Sequence, residues 1–193
     1  MIELIPESYV SRLEPAQIFG RVAPLVVDLG CGDGSFLAAM AKSDPARNFL
    51  GLERLAGRVR TTARKASTLP NVRVLRVETS YAVRYLLPAE SVQVFYLLFP
   101  DPWPKRRHAA RRLVTEKFLA SLHRALVSNG AVHVATDEAQ YFREITRLVS
   151  ASPDFSIIPN SSSAFPSTKF ERRFRARGVP IQRLELRKVS PVT

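Results

Sequence analysis

The chain has 193 residues, of which 46% are hydrophobic and 24% charged, so composition excludes a disordered or fibrous protein and favours a globular one with a sizeable core. Lys and Arg total 29 against 17 Asp and Glu, a net charge of +12 that favours a polyanionic partner or, alternatively, a basic solvated surface. No apolar run is as long as a membrane span, and the N-terminal sequence lacks a secretory pattern. With Cys31 as the single cysteine, we expect a cytoplasmic protein that does not contact membranes.

After a lead-in over residues 1–24, apolar runs typical of buried strands alternate with segments of helical periodicity. The predicted strands are residues 25–29, 48–53, 72–78, 92–99 and 131–136, with candidate last strands at 155–159 and 181–188. The predicted helices are residues 34–42, 54–67, 79–87, 114–127 and 137–152. This alternation predicts an α/β fold: a Rossmann-like, doubly wound, mostly parallel seven-stranded sheet with helices on both faces, in a single domain over residues 1–193.

The stretch VVDLGCGDGS places Gly30, Gly32 and Gly34 between the first predicted strand and the first predicted helix. Glycines at such a turn let the backbone approach a ligand closely. The dinucleotide fingerprint requires Gly or Ala at the sixth position of G-x-G-x-x-G, where this chain has Ser35, so an NAD-dependent dehydrogenase is disfavoured. The G-x-G-x-G spacing after Asp28 is instead similar to the nucleotide loop of S-adenosylmethionine (SAM) methyltransferases.

Acidic residues end three successive predicted strands: Asp28, Glu53 and Glu78. The carboxyl ends of parallel strands meet at one edge of the sheet, where ligands bind in open α/β folds. SAM has an ammonium group suited to Asp28, a ribose diol suited to Glu53 and an adenine within reach of Glu78. Any one of these acids alone would be interpreted as a helix cap or surface charge, but the three together predict a SAM site.

The segment FPDPWPKRRHAARR follows the most apolar predicted strand, and its prolines stop regular structure. Asp101 is the only acid before a run of cations. In a doubly wound methyltransferase the methyl group faces the point just past the fourth strand, so we expect Asp101 between the cofactor and a phosphate-binding surface. Trp103 has two interpretations, a base-stacking ring or an anchor that fixes the loop.

Positive charge is concentrated in two segments, residues 99–113 and the polar, turn-rich residues 159–178, which we interpret as substrate loops. Their cations are Lys105, Arg106, Arg107, Arg111 and Arg112 in the first segment, and Lys169, Arg172, Arg173, Arg175 and Arg177 in the second. Binding of phosphates by such groups is steeply salt-dependent. His108 and His123 have no partners at metal-ligand spacing, so no metal site is predicted.

The motifs FPDPWPKRRH followed by RRL, DLGCGDG, FLGLE, ATD and a late TKFERR resemble the signature of the tRNA (guanine-N7)-methyltransferases of the TrmB type. The resemblance covers residues 25–188 and implies methyl transfer from SAM to N7 of guanosine 46 in the tRNA variable loop. It implies that the cofactor site is lined by Asp28, Glu53, Glu78 and Asp101. The implied tRNA contacts are Lys105, Asp137, Thr168, Lys169, Phe170 and Glu171, to which we add Arg107 and Arg172 from the basic segments. The family more often has Glu at the position of Asp28.

Guanine N7 carries a free lone pair and no proton, so its methylation needs no general base. Asp101 is therefore assigned to positioning the guanine and stabilising the developing positive charge. Two alternatives remain: a SAM enzyme for a small molecule, which would have no use for the cationic segments, and a non-catalytic RNA-binding module, which would not need Asp101 and Glu53. We expect a monomer or homodimer without an obligate protein partner.

Overall fold

The computed structural model describes residues 2–158 and 166–189. Eight strands form one sheet in the order β1-β4-β3-β2-β5-β6-β8-β7. The strands are β1 (Glu3–Leu4), β2 (Leu25–Leu29), β3 (Asn48–Glu53), β4 (Val72–Arg76), β5 (Val92–Leu98), β6 (Leu126–Thr136), β7 (Phe155–Ile158) and β8 (Gln182–Lys188). Neighbouring strands are parallel except at the β6–β8 and β7–β8 pairs, which are antiparallel.

Helices cover both faces of the sheet, which confirms the predicted doubly wound fold. They are α1 (Pro15–Phe19), α2 (Ser35–Ser43), α3 (Ala56–Lys65), α4 (Thr79–Tyr81) with a π-helical turn over Ala82–Leu86, a 3-10 helix over Arg106–Arg111, α5 (Glu116–Ala125), α6 (Ala139–Ser150) and α7 (Lys169–Arg175). Phe36 and Leu37 of α2 pack with Val59 of α3 in one apolar core, whereas Leu122 of α5 and Ile145 of α6 belong to a second core on the opposite face. No helix in the described ranges is long and apolar enough to cross a bilayer.

The eighth strand lies in the predicted lead-in. Glu3 and Leu4 of β1 pair with Val74 and Leu75 of β4 at one edge of the sheet. Two residues are too few to produce a period-two pattern, so the predicted count of seven strands was one short. The same lead-in contains α1, whose Phe19 is buried.

The start of β6 differs from the sequence-based expectation of a helix up to residue 127. Helix α5 ends at Ala125 and the strand begins at once with Leu126, which pairs with Val92. Asn129 has a φ of +60°, and the register shifts before Ala131, so the Asn-Gly pair forms a bulge within the strand. The predicted helix bound at residue 127 was therefore two residues too late, because the strand starts before the Asn-Gly pair.

The second substrate segment contains a helix where the sequence predicted a loop. Thr168 caps α7, and its hydroxyl oxygen accepts a hydrogen bond from the Glu171 backbone N–H at 3.0 Å. Thr-x-x-Glu is the sequence of a capping box, so TKFE is a helix start as well as part of a family signature. Residues 159–165 of this segment lie outside the described residues.

Candidate active site

A cleft of about 1350 Å³ opens at the carboxyl ends of the central parallel strands. It contains most of the predicted cofactor residues: Asp28, Gly30, Gly32, Glu53, Glu78 and Asp101. Of the predicted substrate residues, it is lined by Thr168, Lys169 and Phe170. Trp103 and Arg111 of the first substrate segment also line it. The structure thus brings the acidic strand ends and both basic segments to one cavity.

The glycine loop adopts a backbone that requires glycine. Gly30, Gly32 and Gly34 have φ values of +85°, +58° and +73°. A Cβ on Gly34 would lie 2.5 Å from the side chain of Thr62 in α3. Gly34, predicted as a cofactor residue, does not line the cleft. The Thr62 hydroxyl donates to the Gly32 carbonyl oxygen at 3.3 Å, so α3 holds the loop from behind.

Gly51, in the middle of β3, supports the same loop and was not identified from the sequence. A Cβ at this position would lie 2.7 Å from Cys31 Sγ and 2.8 Å from Leu37 Cδ2. Cys31 is buried and occupies the space that a side chain on Gly51 would need. The available signal was a glycine inside an otherwise apolar strand, which indicates close approach of another segment.

Glu53 connects the glycine loop to the start of α3. Its two carboxylate oxygens accept hydrogen bonds from the Gly32 N–H at 3.2 Å and the Leu55 N–H at 2.8 Å. Arg58 Nη1 lies 3.8 Å from Oε2. A carboxylate has about four lone-pair sites, so Glu53 retains the capacity to accept from two further hydroxyls. This arrangement fits the ribose diol of SAM.

Asp28 is a buried carboxyl group at the end of β2, only 4% exposed, on the wall of the cleft. Burial and, secondarily, the charge of Glu53 raise the pKa of Asp28 to about 7. A cation beside it would favour the ionised form and offset the cost of desolvation. The ammonium group of SAM supplies such a cation, so the chemistry of this site fits the cofactor.

Glu78 caps α4. Its carboxylate accepts hydrogen bonds from the Ser80 N–H at 3.0 Å, the Tyr81 N–H at 2.8 Å and the Ser80 hydroxyl at 2.7 Å. Burial acts to raise the pKa of Glu78, but the hydrogen bonds from Ser80 and Tyr81 outweigh it and the pKa is lowered. The side chain lines the cleft with its carboxylate engaged as a helix cap, which was the alternative interpretation of a single acid.

The proline-rich loop that carries Asp101 is held from beneath by Arg112. The Arg112 side chain is 5% exposed; its Nε donates to the Pro102 carbonyl oxygen at 2.8 Å, and Nη2 donates to the Trp103 carbonyl oxygen at 3.3 Å. Nη1 pairs with the carboxylate of Glu144 in α6. Arg112 is therefore a structural cation, and the expectation that it belongs to the phosphate-binding surface was wrong.

Trp103 packs within its own loop. Its half-buried ring meets His108 edge to face, with centroids 5.7 Å apart, and the Arg111 guanidinium lies 4.9 Å from the ring centroid. A φ of +43° turns the backbone at this residue. These contacts favour the interpretation of Trp103 as a loop anchor.

Helix α7 joins the two substrate segments. Phe174 and Phe170 pack on Phe99, with ring centroids 5.5 and 6.3 Å apart. Lys169 Nζ lies 4.0 Å from Asp33 Oδ2 in the glycine loop. The helix thus lies beside the opening of the cleft, close to both the proline-rich loop and the glycine loop.

The other predicted substrate residues do not line the cleft. Lys105, Arg107 and Arg172 are exposed, and Asp137 is half-buried just before α6. Glu171 is 1% exposed. Its Oε1 pairs with the guanidinium of Arg183 in β8 and lies 2.6 Å from Arg175 Nη2. In this structure Glu171 ties α7 to the sheet, and its carboxylate is not accessible to a nucleic acid.

Comparisons with known proteins identify relatives of this chain. A family profile described as "Putative methyltransferase" matches residues 22–184. A tRNA (guanine-N(7)-)-methyltransferase of Thermotoga maritima is 35% identical over 97% of this chain, which spans 62% of that protein's length. Enzymes of the same name from Halorhodospira halophila and Leifsonia xyli are each 39% identical, over 90% and 88% of this chain and 78% of their own lengths.

Solved structures show the same fold at low identity. An aminoglycoside resistance methyltransferase has a TM-score of 0.63 at 18% identity and covers 92% of this chain and 95% of its own. A 16S rRNA methyltransferase has a TM-score of 0.62 at 19% identity, with 91% and 92% covered. On the sequence relationships, the chain belongs to the family of tRNA (guanine-N7)-methyltransferases, which are enzymes that use S-adenosylmethionine.

Proposed function

We propose that this protein transfers a methyl group from SAM to N7 of a guanosine in tRNA, at position 46 of the variable loop. The observation that carries the proposal is the position of Asp101. This exposed carboxylate lines the same cleft as the acidic strand ends on one side and the cations of α7 on the other. Relatives named for this activity, with up to 39% identity, support the reaction and the substrate class.

Four features of the chain are proposed to hold the cofactor. Asp28 accepts a hydrogen bond from the ammonium group, Glu53 accepts hydrogen bonds from the ribose hydroxyls, and the backbone of the glycine loop lies close to the cofactor. Glu78 forms the adenine side through the α4 terminus that its carboxylate caps. When bound, SAM supplies a methyl group on a positively charged sulfur, which is the electrophile of the reaction.

Asp101 is proposed to orient the guanine. Its carboxylate accepts hydrogen bonds from guanine N1–H and the exocyclic N2–H, which fixes the ring in the cleft. The N7 lone pair would form the bond to the methyl carbon while the methyl–sulfur bond breaks and its electron pair returns to sulfur, so that S-adenosylhomocysteine leaves. No proton is lost from N7, so the chain need not provide a base. The ring becomes cationic as the bond forms, and a fixed carboxylate nearby stabilises that charge. Alignment of the two reacting atoms provides much of the remaining acceleration.

The tRNA is proposed to bind across the exposed cations beside the cleft. Direct contacts with the tRNA are assigned to Lys105, Arg107, Lys169, Phe170 and Arg172. Asp137 is assigned a contact at the edge of this tRNA-binding surface. Thr168 and Glu171 contribute indirectly, since one caps α7 and the other anchors it. We propose that the chain acts in the cytoplasm as a monomer or homodimer, without a partner protein.

The test is methyl transfer from radiolabelled SAM to unmodified bulk tRNA, followed by separation of the nucleosides. Label in 7-methylguanosine is the expected result, and its position is mapped by cleavage at the modified base. Label in a different nucleoside would show that the protein methylates tRNA, but at an atom other than guanine N7. Absence of label with SAM still bound would reject tRNA as the substrate of this chain alone.

A further inference from the structure

The cleft has a second wall, to which the proposed function assigns only the adenine side at the start of α4. It is formed by residues that follow β3 and β4, and we call it the β3–β4 wall: Arg54, Leu55, Tyr81, Arg84 and Tyr85. In the sheet order, β3 and β4 lie on one side of β2, whereas β5 and the strands near α7 lie on the other. This wall therefore faces the cleft from the side opposite to Asp101 and α7.

We infer that the β3–β4 wall is a second RNA-binding surface, which holds phosphates and one base of the tRNA on the side of the target nucleotide away from α7. The inference rests on the proposed function, because it takes tRNA as the polyanion. It adds a group of residues outside both basic segments. These residues belong to the turn after β3 and to the helical turns after β4.

The wall combines exposed apolar surface with positive charge. Leu55 and Tyr85 are each 44% exposed, and Arg54 and Arg84 are exposed beside them. Phe170, 49% exposed next to Lys169, has the same combination across the cleft. Aromatic rings interleaved with cations are typical of surfaces that bind single-stranded nucleic acid, because bases stack on rings and guanidinium planes.

The aromatic part of the wall is held in place before any ligand binds. The Tyr81 hydroxyl donates to the Tyr9 carbonyl oxygen at 2.8 Å, and the Tyr81 and Tyr85 ring centroids are 5.0 Å apart. The Arg84 guanidinium lies 5.0 Å from the Tyr85 ring centroid. Arg12 fixes the backbone beneath by donating to the Arg84 carbonyl oxygen at 2.9 Å. The two rings are tilted by 45° to each other, and an aromatic pair fixed in this way loses little conformational entropy when a base packs on it.

The charge on the wall is available to a ligand. Within residues 2–158 and 166–189, neither Arg54 nor Arg84 has a carboxylate oxygen within 4.0 Å, whereas neighbouring Arg58 is directed toward Glu53. The charge of Arg54 contributes to the lowered pKa of Glu78, so the cation of the wall with no acidic neighbour of this kind is Arg84. The ammonium, ribose and adenine of SAM offer no phosphate to these guanidinium groups. The cleft volume of about 1350 Å³ also exceeds the roughly 300–1,000 Å³ of ordinary small-molecule pockets, which leaves room for a nucleotide beside the cofactor.

The experiment compares two double variants with the same change in charge. Arg54→Ala with Arg84→Ala removes the cations of the wall. Arg143→Ala with Arg147→Ala removes two exposed cations of α6, which do not line the cleft. The dissociation constants of full-length unmodified tRNA and of SAM are measured for both, with tRNA binding followed as a function of KCl concentration.

We expect the wall variant to bind tRNA about tenfold more weakly than the α6 variant and to lower the salt slope by about 1 to 2, with SAM affinity unchanged. Adding Tyr85→Ala to the wall variant should weaken tRNA binding further. Adding Tyr85→Phe should not, because the aromatic ring remains. Equal tRNA affinity and slope in the two double variants would overturn the inference. Loss of SAM binding with tRNA binding intact would also overturn it, since the wall would then belong to the cofactor site.

These outcomes separate the inference from the proposed function. The function fails if wild-type protein forms no 7-methylguanosine, which is a property of the product. The inference fails if the two double variants bind tRNA alike. This comparison measures tRNA binding, so it can fail even when the wild-type protein forms 7-methylguanosine at full rate. The side chains of Arg54 and Arg84 are exposed, so their removal leaves the core intact.

Discussion

The guanidinium of Arg112 pairs with the carboxylate of Glu144, and this contact joins the Asp101 loop to helix α6. The guanidinium of Arg112 also lies over the ring of Tyr141, with 5.2 Å between the guanidinium carbon and the ring centroid. Two further bonds from Arg112 hold the carbonyl groups of Pro102 and Trp103, the residues directly after Asp101. One buried cation thus fixes the backbone that presents the proposed guanine-binding carboxylate.

Arg112→Ala is therefore expected to act through the position of the loop. Removing one member of a largely buried pair should lower the free energy of unfolding by about 3 kcal/mol, measured by urea denaturation. The turnover number should fall while SAM affinity is retained. A variant of normal stability and turnover number with weakened tRNA binding would instead make Arg112 a phosphate ligand.

Asp28 should make stability and cofactor binding depend on pH in opposite senses. Its pKa is raised from 3.8 to about 7 on folding, so the folded chain holds a proton that the unfolded chain releases. The stability of the cofactor-free protein should fall as pH rises from about 4 to 7 and then level off. SAM affinity should rise roughly tenfold between pH 5.5 and 7, because the ammonium group replaces that proton.

Asp28→Asn is the matched control for this linkage. The amide carries no charge, so the variant should lack the fall in stability and be more stable than wild type at pH 8 in thermal unfolding. Its SAM affinity should be weak and independent of pH between 5.5 and 7, as measured by calorimetry. Wild-type affinity that stays flat over this range would exclude Asp28 as the ammonium ligand.

The fold and the acidic strand ends were predictable because they depend on period and position. Apolar runs alternate with helical segments, and each of Asp28, Glu53 and Glu78 follows such a run. These local patterns require no knowledge of which segments meet in space. Of the predicted strands, residues 25–29 and 48–53 have the bounds observed for β2 and β3.

The roles of individual charges were less predictable because they depend on partners distant in sequence. Arg112 and Arg111 look alike in the sequence, yet one is buried against Glu144, 32 residues away, and the other lies over Trp103. Glu171 was assigned to tRNA, but Arg183 is 12 residues further along the chain and binds its carboxylate. Thr168 and Glu171 could have been recognised as a capping box from their spacing alone.

Glu171 is predicted to order α7 without contacting tRNA. Glu171→Ala would remove the contact between α7 and Arg183 of β8, so α7 should loosen and tRNA affinity should fall as a secondary effect. Hydrogen exchange of residues 166–178 in the free protein is the measurement, and Glu171→Gln, which keeps the acceptor oxygen, should show a smaller increase. Unchanged exchange together with lost tRNA affinity would point to direct contact with RNA.

Gly51→Ala tests the support behind the glycine loop. The added methyl group would meet Cys31 Sγ at 2.7 Å, so overpacking should cost about 2 kcal/mol and weaken SAM binding. Gly57→Ala in α3 is the control, because a Cβ there meets nothing within 4 Å and alanine favours a helix. Equal stability and SAM affinity in the two variants would show that the loop does not depend on Gly51.

Asp101→Ala tests the proposed role in orienting guanine. The carboxylate is exposed on the cleft wall, so its loss should leave stability unchanged. Single-turnover methylation should slow by roughly 100-fold or more, with SAM and tRNA dissociation constants close to wild type. Equal losses in binding and rate would assign Asp101 to the architecture of the loop.

The most direct measurement uses two tRNA transcripts that differ at one ring position of one nucleotide. The first has guanosine at position 46, and the second has 7-deazaguanosine, in which carbon replaces the N7 nucleophile while the N1–H and N2–H groups remain. Methyl transfer from labelled SAM to the first transcript and none to the second, with equal binding of both, is the result predicted for N7 attack at this position. Equal labelling of both transcripts would contradict it.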